Sequence, residues 1–139
     1  MSSSLPKRIH HIDVIVHDLD RAVERYRKVL GVDPSPRESL PGRGIDLARF
    51  RIGETWLILV QPTQPESPVM RFLEDHGEGF FHMAIEVDDV ESSSRNLRAQ
   101  GVRLCNDTPR IGVEGWRLVD VEMDETFGAM VQLVEVGED

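Results

Sequence analysis

The stretch that decides the fold is "HIDVIVHDLD" (residues 11–20), because the chain contains a second version of it, "HMAIEVDDVE" (residues 82–91). The two stretches start 71 positions apart, and in each a histidine opens a run of alternating apolar residues that ends at an aspartate. Alternation with a period of two indicates a half-buried strand, and an aspartate after it commonly caps a helix. The chain therefore contains two copies of one module.

Each copy continues with a helix and then with strands. In the first copy, apolar residues recur at helical spacing over residues 19–30, and Gly31 supplies a stop. Strand-like segments follow at residues 45–50 and 55–61. The second copy has a thinner helical face, and its strands are predicted at residues 102–105, 116–122 and 129–135.

This pattern is β-α-β-β-β, twice, within a single domain spanning residues 1–139. Module one covers residues 9–62, a linking helix covers 67–76, and module two covers 80–136. The segment at 34–39 is predicted to be an irregular edge strand, because its two prolines cannot donate to a ladder. A module with so few helices cannot cover its own sheet. We therefore predict an α+β fold whose paired modules form a curved mixed sheet around a shared cavity.

Composition and charge exclude several classes of partner. A net charge of −9 argues against binding to nucleic acid or to an anionic membrane. The single cysteine, Cys105, allows no intramolecular disulfide, fits a reducing compartment and is predicted to be a buried strand residue. The leader "MSSSLPKR" (residues 1–8) lacks the apolar run of a signal peptide, and no stretch is long enough to span a membrane. We therefore expect a cytoplasmic protein.

The repeat selects the histidines of interest. His11 and His82 occupy equivalent positions, whereas His10 points to the opposite face of its strand and is predicted to be a surface or interface residue. Asp13 shares the face of His11, about 7 Å along the strand. It could be a base, a replacement metal ligand, or the partner of a cation such as Arg49. Three other carboxylates are weaker candidates for catalysis: Glu86, Asp120 and Glu122.

Four segments carry a resemblance that extends from residue 9 to residue 135: "HHIDVIVHDLDRAVERYRKVLG", "PESPVMRFLEDHGEGFFHMAIEVDD", "LRAQGVRL" and "PRIGVEGWRL". Together they resemble the vicinal oxygen chelate superfamily, which includes glyoxalase I, bleomycin-resistance proteins and extradiol dioxygenases. Within that superfamily, the stretch "SPVMRFLEDHGEGFFHMA" is most similar to the linker of the methylmalonyl-CoA epimerases.

The resemblance implies a divalent metal held by one side chain from the first and one from the last strand of each module. In this chain those positions are His11, Ile58, His82 and Gln132. A further glutamate, which would be the proton-transferring base, matches Leu47. Since isoleucine binds no metal, the resemblance leaves His11, His82 and Gln132 as an N,N,O site for zinc, cobalt, nickel, iron or manganese. The alternative is that the loss of the ligand at position 58 has abolished the metal site, in which case the protein binds no metal.

Two functions from different classes fit these residues. The first is an isomerase or lyase that abstracts a proton next to the carbonyl of a small acyl or carbonyl substrate, with Asp13 and Glu122 as catalytic carboxylates. The departures at Leu47 and Ile58 predict a reaction other than standard methylmalonyl-CoA epimerisation. The substrate pocket is predicted to include Leu47, Arg49, Ile58 and Trp116.

The alternative is a metal-free protein that sequesters a small molecule, like the bleomycin-resistance members of the superfamily. A metal-independent isomerase or cyclase that uses Asp13 and the histidines is a third possibility. In each case the partner is a small molecule, with no nucleic acid and no membrane, and the resemblance implies a homodimer.

Overall fold

The computed structural model describes residues 5–137; residues 1–4 and 138–139, where the leader begins and the predicted domain ends, lie outside the described part. The strands are β1 (Arg8–Ile15), β2 (Glu38–Leu40), β3 (Ile45–Ile52), β4 (Thr55–Pro62), β5 (Gly79–Glu86), β6 (Arg110–Ile111), β7 (Arg117–Asp120) and β8 (Val131–Glu135). The α-helices are α1 (Leu19–Leu30), α2 (Pro68–His76) and α3 (Val90–Ala99).

The predicted α+β class is confirmed. The chain divides into two compact units, His11–Phe81 and the combination of Met1–His10 with His82–Asp139. In the first unit the strands pair in the order β2-β3-β4-β1, and in the second unit in the order β5-β8-β7-β6. The strands of each unit are mixed in direction, since β1 runs parallel to β4 and β5 runs parallel to β8, whereas the β2–β3, β3–β4, β6–β7 and β7–β8 pairs are antiparallel.

In the first unit, α1 covers one face of the strands. Asp18 caps the helix by accepting a hydrogen bond from the Arg21 amide at 3.2 Å, and Gly31 ends it in the left-handed conformation. The apolar side of α1 packs on a buried cluster that includes Val14, Phe50 and Leu59. Because successive strand residues alternate between faces, the odd-numbered side chains of β1 lie on the face away from α1.

The second unit repeats this arrangement with a smaller core. Asp89 caps α3 by accepting from the amides of Glu91 and Ser92, and Val90 packs with Val87 and Val119. Ser94, buried on this helix, donates its hydroxyl hydrogen bond to the Val90 carbonyl at 2.7 Å. Ser93 is buried on this helix as well, so two small side chains form part of its buried face.

Three local predictions are wrong. The segment at 102–105 is not a strand but forms a single bridge between Leu104 and Val121. Two backbone hydrogen bonds flank this bridge, from the Cys105 amide to the Asp120 carbonyl at 2.8 Å and from the Glu122 amide to the Arg103 carbonyl at 3.1 Å. The next contact is made by a side chain, since Asn106 Oδ1 accepts from the Asp120 amide at 3.0 Å. Cys105 is exposed rather than buried. The predicted edge strand is present as β2, although it begins only at Glu38, after both prolines.

The third error concerns His10, which is fully buried instead of lying at a surface. Its ring meets the indole of Trp116 edge to face, with ring centroids 4.5 Å apart. Alternation along β1 correctly separates His10 from His11, but it cannot tell whether the second face is covered. Here Trp116 covers it.

Among residues 5–137, none of the helices combines the length and the apolar character that crossing a membrane requires.

The Cys105 thiol is expected to react slowly with alkylating agents at neutral pH. Partial burial raises the pKa of this thiol, and the nearby Glu122 and Asp120 carboxylates raise it further. Because the thiolate is the nucleophile, a raised pKa lowers the reactive fraction at any given pH. The rate of iodoacetamide labelling, followed by mass spectrometry from pH 7 to pH 10, should lie below that of free cysteine and rise later with pH. Glu122→Gln should accelerate labelling, and an unchanged rate in that variant would contradict the assigned cause.

Candidate functional site

A polar strip runs along the face of the first unit that lies away from α1. On β1 this face carries His11, which is 4% exposed, and Asp13, two residues further on. The His11 Nε2 atom lies 4.0 Å from a carboxylate oxygen of Asp13. A histidine and a carboxylate at this spacing, both largely withdrawn from water, form an N,O donor pair.

The strand register extends this strip across the sheet. Asp13 is the Cα partner of Ile58 on β4, and Ile58 is in turn the partner of Arg49 on β3. Paired residues on neighbouring strands project to the same face, so the three side chains form one row. Ile58 is 2% exposed and Arg49 is 9% exposed. The carboxylate and the guanidinium thus flank a buried apolar side chain.

In the second unit, β5 and β8 place His82 and Gln132 on a common face. Gln132 is the Cα partner of Ala84, and His82 is two residues before Ala84 on the same strand. Gln132 is 2% exposed. Its Oε1 atom is buried and accepts no hydrogen bond from residues 5–137. A buried carbonyl oxygen in this condition is costly unless a ligand or an ion completes it.

Each unit carries potential metal ligands. In the first unit, ligand atoms of His11 and Asp13 lie within 4.8 Å of each other. Imidazole nitrogens and carboxylate oxygens suit the divalent metals that the sequence resemblance implies. In the second unit, the buried Gln132 oxygen is a donor of a suitable type and shares a face with His82. The donor types present therefore fit a divalent ion.

Glu38 is a functional candidate that sequence reasoning missed. It is the Cα partner of Leu47, the position at which the resemblance expects a catalytic glutamate. Its carboxylate is bound by Arg49, with Nη2 to Oε2 at 3.0 Å. The Arg49 guanidinium also lies 4.8 Å from the centre of the Trp56 ring. In the sequence, Glu38 is marked only as a glutamate that follows two prolines. The register between β2 and β3 is needed to place it opposite Leu47.

The weaker carboxylate candidates lie in ion pairs or beyond the strands. Buried Glu86 is bound by Arg8 and lies 3.6 Å from the Lys7 ammonium. Asp120 pairs with Arg110 at 3.0 Å. Glu122 is half-buried and immediately precedes a 3₁₀ turn (Met123–Thr126).

The predicted site residues therefore divide into groups. The two predicted catalytic carboxylates belong to different units, Asp13 to the first and Glu122 to the second. Trp116, predicted for the substrate pocket, is 2% exposed and packs against His10. Three other predicted pocket residues share the face of Asp13 in the first unit: Leu47, Arg49 and Ile58.

Comparison with known proteins gives concordant matches. A family model described as the glyoxalase/bleomycin resistance protein/dioxygenase superfamily matches residues 10–119. The mitochondrial methylmalonyl-CoA epimerase of Mus musculus is 31% identical over 127 residues, which cover 91% of this chain and 71% of the mouse protein.

Solved structures agree with this match. A glutamate-to-leucine variant of Streptomyces coelicolor methylmalonyl-CoA epimerase, in complex with 2-nitronate-propionyl-CoA, superposes with a TM-score of 0.89 at 33% identity and covers 96% of each chain. Methylmalonyl-CoA epimerase from Mycobacterium tuberculosis superposes with a TM-score of 0.90 at 30% identity, covering 99% of this chain and 93% of that one. The predicted resemblance is confirmed, and the chain belongs to the glyoxalase/bleomycin resistance protein/dioxygenase superfamily.

Proposed function

We propose that this protein is an isomerase that abstracts the proton next to the thioester carbonyl of a methylmalonyl-type acyl-CoA. The observation that carries this proposal is the Glu38–Arg49 ion pair on the same sheet face as His11 and Asp13. The departures at Leu47 and Ile58 led us to expect a different reaction, but the likeness to methylmalonyl-CoA epimerases supports this substrate class, and the acyl-CoA bound by the Streptomyces coelicolor relative supports it further.

Glu38 is the proposed base. It stands beside Leu47, so β2 supplies a carboxylate where β3 offers none. Arg49 is held on one side by Glu38 and lies over the Trp56 ring, which restricts the carboxylate to a narrow range of positions. A fixed carboxylate within reach of an acidic C–H bond is what general base catalysis requires.

The proposed metal ligands are His11, His82 and Gln132, as the sequence resemblance implies. A divalent ion bound there would polarise the thioester carbonyl and stabilise the negative charge that develops on its oxygen. In the proposed step, the C–H bond breaks, its proton moves to Glu38 and its electron pair enters the carbonyl system. Water then delivers a proton to the opposite face of the carbon, and Glu38 releases its proton to the resulting hydroxide, which gives the epimer and restores the base.

Hydrogen–deuterium exchange tests this proposal directly. Metal-free protein is loaded with CoCl₂ and incubated with methylmalonyl-CoA in D₂O, and loss of the α-proton signal is followed by ¹H NMR. We expect exchange well above that of a protein-free sample with the same CoCl₂ concentration. Exchange is a suitable readout because it records proton abstraction even when the proton returns to the original face.

Two outcomes would overturn the proposal. No exchange above the protein-free rate, with cobalt bound, would exclude abstraction from this substrate. Thermal stabilisation by the acyl-CoA that is identical with and without CoCl₂, together with no exchange, would instead favour the metal-free binding protein.

A further inference from the structure

The carboxylate lost from β4 has a counterpart on the adjacent strand. The sequence resemblance expects a metal ligand at Ile58, which is an apolar side chain 2% exposed. Its Cα partner on β1 is Asp13. Directly paired residues in a sheet have their Cβ atoms about 4.5–5.5 Å apart and project to the same face. Asp13 therefore presents its carboxylate next to the place from which a ligand at position 58 would project.

The second unit shows the reciprocal arrangement. There the residue on β5 is Ala84, and its Cα partner on β8 is Gln132, whose buried Oε1 accepts no hydrogen bond from the described residues. Asp13 and Ala84 occupy equivalent positions of the repeated stretch, 71 residues apart. In the second unit the small residue is on the first strand and the oxygen donor on the last. In the first unit the donor is on the first strand and the apolar residue on the last.

We propose that Asp13 is a metal ligand that acts together with His11 and replaces the ligand missing at Ile58. This inference rests on the proposed function only in placing the metal at the same residues. It assigns Asp13 to metal binding rather than to the role of base.

The distances suit coordination. Two donors that each lie about 2.1 Å from one ion can be no more than about 4.2 Å apart. The His11 Nε2 to Asp13 Oδ1 distance is 4.0 Å, so both atoms can reach bonding distance of one ion placed between them. The aspartate side chain is short, but it can reach an ion bound by His11 because the two residues are only two positions apart on the same face of β1.

Charge favours the same assignment. The neutral ligands that the sequence resemblance implies would leave both positive charges of the ion uncompensated beside His11, which is only 4% exposed. Burying an unneutralised charge is strongly unfavourable. The Asp13 carboxylate, whose side chain is 13% exposed, removes one of these charges.

Cobalt binding tests the assignment without reference to activity. Metal-free wild-type protein, Asp13→Asn and Asp46→Asn are titrated with CoCl₂ by calorimetry, and the visible spectrum of each cobalt complex is recorded. Asp46→Asn is the matched control, since Asp46 is a partly exposed strand aspartate of the same unit that projects to the face opposite Leu47 and accepts from Ser39 at 2.7 Å. Asp13→Asn should weaken cobalt binding by at least about 100-fold, the upper end of the loss caused by removing a partner behind a ligand. Its spectrum should change, whereas Asp46→Asn should match wild type in both respects.

A swap variant makes the test sharper. Asp13→Ala combined with Ile58→Glu gives the first unit the arrangement of the second, with the small residue on β1 and the oxygen donor on β4. It should recover most of the affinity that Asp13→Ala alone loses. Thermal unfolding of each metal-free variant confirms that it is folded before titration.

Three results would overturn the inference: no cobalt binding by wild type, wild-type affinity in Asp13→Asn, or weakened binding with an unchanged spectrum and no recovery in the swap variant. The last would mean that Asp13 acts through its charge alone. If Asp13→Asn loses cobalt as expected but wild type catalyses no α-proton exchange, the ligand assignment stands and the proposed function fails. If wild type catalyses exchange but Asp13→Asn binds cobalt as tightly as wild type, the proposed function stands and the ligand assignment fails.

Discussion

Glu38→Gln is expected to slow α-proton exchange in methylmalonyl-CoA by roughly 10²- to 10⁴-fold, the usual contribution of a positioned general base. Glutamine keeps the size of the side chain and can still accept a hydrogen bond from Arg49, but it cannot take up a proton at neutral pH. The loss should therefore fall on kcat, with KM changing little. The measurement is the exchange rate by ¹H NMR over a range of substrate concentrations, with cobalt bound to both proteins.

The controls for this variant separate chemistry from structure. Glu38→Asp keeps a carboxylate on a shorter side chain and should retain part of the activity that Glu38→Gln loses. Asp46→Asn, on the adjacent strand but the other face, should exchange at the wild-type rate. Cobalt affinity should be the same in Glu38→Gln and wild type. If Glu38→Gln exchanges as fast as wild type, another group is the base.

Phe50→Ala is expected to destabilise the protein by about 3–5 kcal/mol, the usual cost of removing a fully buried phenylalanine. Phe50 has no exposed surface, belongs to the cluster under α1 and lies 6.2 Å from the Tyr26 ring, centre to centre. Its removal leaves a cavity that the neighbouring strands cannot close. The free energy lost by removing the buried ring and the free-energy cost of the cavity therefore add. Urea denaturation of the metal-free protein, followed by circular dichroism, measures the change.

Phe80→Ala is the matched control for this prediction. Phe80 is also a strand phenylalanine, on β5, but it is 78% exposed. Its truncation should change the free energy of unfolding by no more than about 0.5 kcal/mol, as for most surface substitutions. Equal losses in the two variants would show that Phe50 does not occupy the core position described above.

The fold was predictable because its signals are local. The alternation after His11 and after His82, the capping aspartates Asp18 and Asp89, and the stop at Gly31 all act within a few residues. Each specifies an element whose bounds the structure reproduces closely, as for α1 at Leu19–Leu30. The segment at 102–105 was wrongly predicted to be a strand because its pairing stops after one bridge, where the side chain of Asn106 bonds to the Asp120 amide.

The candidate site was predictable only in part. The repeat selected His11 and His82, and the face of Asp13 followed from its spacing to His11. Glu38 could not be identified from the sequence, because its candidacy as a base depends on the pairing of β2 with β3, which places it opposite Leu47. The two prolines before it made that edge strand look irregular. The burial of His10 was missed for a similar reason, since it depends on Trp116, more than a hundred residues away in the chain.

The sequence by itself therefore determined the α+β class, the duplicated module and the face of β1 that carries His11 and Asp13, because periodicity and capping depend on neighbours along the chain. Only the tertiary structure decided that Asp13 is the partner of Ile58 and Glu38 the partner of Leu47. Strand register is fixed by burial on both faces of a whole sheet and by the turns that join its strands. Whether a missing carboxylate is replaced from the next strand is therefore a property that no single stretch of sequence contains.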